Sequence, residues 1–135
     1  MEFEKWESAI GRLVLSCSIV EFELLRLYEK YLSKRSFYDD SYLNRFDNSI
    51  GVVKREFLIG DEIAENLIEM RKMAEYRHLV AHNPVLYDKE RECCYIQDQK
   101  NGNATIDLSE IIARADYFMI LSGEIRFFLQ THVES

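Results

Sequence analysis

Apolar residues at Phe3, Trp6, Ile10, Leu13, Cys17, Val20, Leu24, Leu27 and Tyr31 recur at steps of three and four. A seam sustained for about eight turns predicts one long helix from about residue 3 to 34. Val14 and Tyr28 widen this face around Glu21, so that carboxylate borders the core. Ser36 to Asp40 reads as a connection, and a second helix follows with Leu43, Phe46, Ile50, Val53 and Phe57 in register, capped by Asp40 or Ser41. Gly51 weakens its middle by about 1 kcal/mol relative to alanine. Gly60-Asp61 then supplies a stop and a start, with glycine just past one helix end and aspartate as N-cap of the next. So short a link predicts an antiparallel neighbour.

In the third helix Ile63, Leu67, Met70, Ala74 and Ala81 alternate at four and three, and Arg77 completes that register, with Met73 and Val80 on its flanks. A guanidinium on an apolar stripe costs several kcal/mol in order of magnitude unless a carboxylate, carbonyls or an anionic ligand meets it. Pro84 disfavours the α conformation at Asn83, so the helix ends at about His82. Arg77 and His82 then point about 140° apart on an ideal helix, and the long arginine side chain with a loosened last turn could still bring both to one cleft. His78 and His82 share a face, with Glu75 on it.

Beyond Pro84 the period shortens. Val85-Leu86-Tyr87, Cys93 to Ile96 and Ala104-Thr105-Ile106 flank the turn signal Asn101-Gly102-Asn103, which predicts a small β-hairpin or meander at about 85–107. A fourth helix, capped by Asp107 or Ser109, carries Ile111, Ala115, Phe118, Ser122, Ile125 and Leu129 and runs to about residue 132. The expected fold is all-α: a single domain over 1–135, an antiparallel four-helix bundle with the β-hairpin between the third and fourth helices. The first helix should outrun the second and leave apolar surface for a partner.

Composition supports a packed core, at 47% hydrophobic and 13% aromatic residues, and five glycines with one proline favour few, long elements. A formal charge of −7 argues against nucleic-acid binding through a broad basic face, though not against a small cationic cleft. Three cysteines, two of them adjacent at Cys93 and Cys94, read as reduced thiols that pack. The acidic start lacks a signal-peptide pattern, and Ala9 to Leu27 is interrupted by Arg12, Glu21, Glu23 and Arg26. A cytoplasmic protein that does not enter the membrane is expected.

Arg77, the polar residue His78, three mostly apolar residues, then His82 and Asn83 near a helix end resemble the signature of HEPN domains, small helical bundles of many prokaryotic toxin and defence proteins. The motif spans six residues, and its place in the third of four amphipathic segments adds specificity. The resemblance implies a homodimer that sets two motifs near a shared cleft. It also implies a metal-independent endoribonuclease needing no cofactor, in which the ribose 2′-hydroxyl attacks the adjacent phosphate to leave a cyclic phosphate and a 5′-hydroxyl. Histidine, with an ordinary pKa of about 6.5, suits proton transfer near neutrality, and an arginine fork suits the phosphate. His82 is then the general base or acid and Arg77 the phosphate-holding group. His78 is auxiliary, Asn83 bonds the phosphate or fixes the helix end, and Glu21 orients Arg77 or a histidine.

Other readings stand beside this one. Cations near a helix C-terminus are favourable simply through the dipole, by about 0.3–1 kcal/mol each. Glu21 has a plain role as a solvated or salt-bridged rim residue. Many HEPN domains keep the fold without cleavage, so the alternative function is a silent dimerisation or binding module for a nucleotide, RNA or protein partner. Toxins of this kind that are modified by a partner nucleotidyltransferase carry tyrosine two residues after the motif histidine; here Pro84 stands there, which speaks against that regulation but not against an antitoxin. A metal site on Glu75, His78 and His82 would need a second Glu-x-x-His, and the chain has none.

Overall fold

The computed structural model describes residues 2–100, 102 and 104–133. They form helices α1 (Glu2–Tyr31), α2 (Lys34–Asp39), α3 (Tyr42–Glu56), α4 (Gly60–Arg71) and α5 (Met73–His82), strands β1 (Val85–Asp88), β2 (Cys93–Asp98) and β3 (Ala104–Asp107), and helix α6 (Leu108–His132). The chain is mostly helical, as expected, but six described helices replace the four anticipated. The expected β-hairpin is a three-stranded antiparallel meander in the order β1-β2-β3. Gly102 takes the positive φ of 73° that its turn requires, whereas its neighbours Asn101 and Asn103 lie outside the described residues.

Both extra helices have local causes. The presumed connection is helical because the Ser33 hydroxyl caps it, accepting from the Ser36 amide, and because Phe37 buries itself edge-on to Tyr28 at 5.3 Å between centroids. The third predicted helix is cut at Lys72. There the amide donates to both Ile68 and Glu69 carbonyls, at 3.3 and 3.2 Å, and the Lys72 carbonyl accepts from the Glu75 amide. These tightened i to i+3 bonds overwind one turn.

Helix directions also depart from an antiparallel bundle. Arg12 meets Asp116 and Glu23 meets Gln130, so α1 and α6 run parallel. Glu21 meets Arg45 and Tyr31 stacks on Phe57, which sets α3 in that direction too. The α4–α5 arm opposes them: Arg71 reaches back to Asp47, and Asn66 to Glu124. The residues from Leu32 to Ser41 carry the chain back along α1 before α3 begins, which is why two consecutive long helices point the same way. The α3–α4 link makes the antiparallel turn expected of it, and the meander likewise returns α6 opposite to the α4–α5 arm. α1 has 30 residues against 15 in α3 and does outrun it.

Two cores result. Leu13, Cys17, Val20, Leu24 and Leu27 of α1 pack against Phe46, Leu67, Phe118 and Ile125 in the larger. Trp6, Ala9, Leu79, Ile96 and Ile111 form the smaller, where the sheet closes over the starts of α1 and α6. Tyr76 and Val80 touch both, so α5 joins them. Val14, expected to widen the core face, is exposed, while Ala9 is buried in its stead.

Tyr28 is fully buried, donating to Asp40 Oδ2 at 2.6 Å and accepting from Asn48 Nδ2 at 3.2 Å. Burial, reinforced by the Asp40 carboxylate, raises its phenol from 10.0 to about 12. The folded state thus holds this proton more tightly than the unfolded chain. The resulting stabilisation is complete below pH 10 and is lost as pH rises towards 12. Denaturant melts at stepped alkaline pH should show that loss in the wild type, and Tyr28→Phe should lack this component.

Candidate functional site

α5 carries the motif to an exposed end. Asn83 leaves the helix in extended conformation, φ −125° and ψ 125°, as the following proline demands, so His82 is the last helical residue, as predicted. Asn83 is buried: its Nδ2 donates to the Leu79 carbonyl at 3.0 Å, and its Oδ1 accepts from the Gln99 amide at 3.4 Å. It thereby fixes the helix end and ties it to the turn after β2.

His78 and His82 are exposed and stack with ring centroids 4.4 Å apart at 44°. The two imidazoles, one turn apart, lie together on the same solvent-facing side. The break at Lys72 divides the helix in which Arg77 was expected to complete an apolar stripe. After it Met73, Leu79 and Asn83 are buried and Tyr76 is half-buried. The side chains of Ala74, Arg77 and Ala81, on which the expected stripe rests, lie outside the described residues. Glu21 accepts from Arg45 Nη1 at 3.0 Å, which is the salt-bridged rim arrangement. Cys17 Sγ lies 3.9 Å from its other oxygen.

Beside His78 opens a cleft of about 800 Å³, whose walls include Lys72, Tyr76, Lys100, Arg114 and Phe118. Arg114 lies over the Tyr76 ring, its guanidinium carbon 5.4 Å from the centroid, and Tyr76 braces edge-on against Phe118. Sequence reasoning missed Lys100 and Arg114. Lys100 follows a strand and Arg114 sits on the polar side of α6, and only the folded chain brings both beside α5.

Elsewhere, the Asp107 carboxylate caps α6 by accepting from the Glu110 amide at 2.9 Å, and that bond holds its pKa below the usual carboxylate range. Cys94 is a free thiol pushed upward by desolvation and by Glu2, whose Oε1 accepts from the Cys94 amide at 3.0 Å. Among the described residues no group of three or more His, Cys, Asp or Glu is placed to hold a metal ion, and no helix is long and apolar enough to cross a membrane. Comparison with family models, curated proteins and solved structures finds no match to the chain.

Proposed function

We propose that the protein is a HEPN-like, metal-independent endoribonuclease of toxin or defence type, acting in the cytoplasm on a bundle of HEPN kind. The observation that carries this reading is the stacked, exposed pair His78–His82 at a proline-terminated helix end, beside a cleft lined by cations in an otherwise acidic chain. His82 takes the proton of the ribose 2′-hydroxyl as O2′ bonds to phosphorus. The P–O5′ bond breaks, and the 5′ oxygen takes up a proton, delivered through His78 or water. Arg77 offsets charge on the phosphorane. Atoms and charge balance without a metal or cofactor. The test is incubation of structured RNA with the protein in EDTA, reading product ends: cyclic phosphate and 5′-hydroxyl termini support the proposal. Intact RNA under every condition leaves the silent binding module.

The partner implied is a second copy, with an antitoxin as a further one. The surface that suits a second copy lies on the parallel pair α1 and α6, where Leu15, Phe22, Ile120 and Phe127 are exposed, Phe22 at 70% and Phe127 at 73%. Large apolar side chains left in solvent on one helix pair are what a second copy would cover. Sedimentation velocity should give a dimer for the wild type and a monomer for the Phe22→Asp, Phe127→Asp double variant, with the far-UV circular dichroism unchanged because neither side chain fills the core. A wild-type monomer at tens of micromolar would sink this part of the proposal.

A further inference from the structure

The cleft beside His78 has a charge balance opposite to that of the whole chain. Its walls carry four cations, Arg71, Lys72, Lys100 and Arg114, against two carboxylates, Glu69 and Glu75, whereas the chain has 17 Lys and Arg against 24 Asp and Glu. Two of those cations are committed. Arg71 grips Asp47 with two bonds of 2.7 and 3.2 Å, and Lys72 meets Glu69 at 2.9 Å. Lys100 and Arg114 have no carboxylate within ion-pair distance among the described residues. Their charge is available to something that enters.

The two do different work. Arg114 lies over half-buried Tyr76, which is itself braced by buried Phe118, and it lines the opening, so the guanidinium has a ring beneath it at the wall of the cleft. A planar cation supported in this way is a stacking surface for a nucleobase. Lys100 is a point charge held in place by its turn, its own amide donating to Asp98 Oδ1 at 3.2 Å and the preceding amide, of Gln99, to Asn83. A small crevice walled by Glu75, His78, Leu79, Asp98 and Lys100 shares its rim with the cleft, which puts Lys100 next to His78. One platform for a base and one ammonium for a phosphate lie in sequence towards the histidine pair.

We infer that this cleft seats one or two nucleotides of single-stranded RNA adjoining the cleaved bond: a base stacks on Arg114 over Tyr76, and the neighbouring phosphate meets Lys100. The next phosphodiester then falls at His78 and His82. The inference rests on the RNA-cleaving reading for the identity of its ligand. A duplex does not fit, because its bases are stacked on each other and cannot splay onto Arg114.

Fluorescence anisotropy with the full chain and a labelled 12-nucleotide RNA bearing 2′-O-methyl groups tests binding apart from cleavage. Lys100→Glu and Arg114→Glu should each weaken binding by about tenfold or more. Lys100→Gln should lower the dependence of log K on log salt by about 1. Arg114→Lys, which keeps charge but not the plane, should recover the salt slope and not the affinity. Unchanged binding by both charge reversals, with circular dichroism intact, overturns the inference even if His82→Ala abolishes cleavage. Equal affinity for the same sequence as a duplex also overturns it. Charge-sensitive binding of single strands in a protein that never cuts RNA keeps the groove and removes only the catalytic reading.

Discussion

Replacing His82 with alanine is expected to slow RNA cleavage by about 10²–10⁴-fold, the contribution of a positioned proton-transfer group. His82 is exposed at the last position of α5 and its ring contacts His78, so its loss removes chemistry and not core packing. Thermal melting should shift little. Binding of the uncleavable oligonucleotide should also persist, because the groove is built from Lys100, Arg114 and Tyr76. His78→Ala should cost less, since it keeps the principal base. Cleavage undiminished in His82→Ala removes the mechanism.

Gly60→Ala is expected to destabilise the protein by about 2–3 kcal/mol, the range for overpacking a closed site. A methyl group on Gly60 would overlap the Val53 carbonyl oxygen, and that oxygen already accepts the Phe57 amide that ends α3. Relief requires α4 to move away from α3 or that terminal bond to break. Gly51→Ala is the internal control. It lies in the same α3, with no atom within 4 Å of the added carbon, so helix propensity alone predicts stabilisation of up to about 1 kcal/mol. Denaturant melts of the two variants should move in opposite directions. Similar shifts in both would mean that the tight approach at Gly60 is absent in solution.

The same glycine shows where reading from sequence stops. Gly60 followed by Asp61 looks like a helix terminator and a cap, and a helix boundary does fall there. Yet Gly60 is the first residue of α4, Ile59 occupies the cap position without a side-chain bond, and the glycine is required by a neighbouring backbone. Local chemistry was legible wherever a feature depends on adjacent residues: Ser41 caps α3 through the Asn44 amide, Asp107 caps α6, Pro84 ends α5 at His82, and the period-two segments pair as strands. The stripe of α6 was also correct, from Ile111 to Leu129. What escaped needed partners far along the chain. Glu23 looked like a polar interruption of the first helix, but it is buried under Arg26, Arg126 and Gln130. The Lys72 break divides the expected third helix in two, and a uniform 3.6-residue count could not foresee that. His78, His82 and Asn83 were singled out by the motif; Lys100 and Arg114, which stand beside them, belong to no local pattern.

The parallel pairing of α1 with α6 carries a cost during synthesis. The contacts from Arg12 to Asp116 and from Glu23 to Gln130 join residues more than a hundred positions apart. Until the 25 residues of α6 leave the ribosome, the oily side of α1 has no permanent cover, and the nascent chain must hold it in provisional company. A mostly helical protein is ordinarily a fast folder because its contacts are local; here the most distant stretches of polypeptide must meet last, which delays completion and lengthens the interval in which chaperones or a sister chain can intervene.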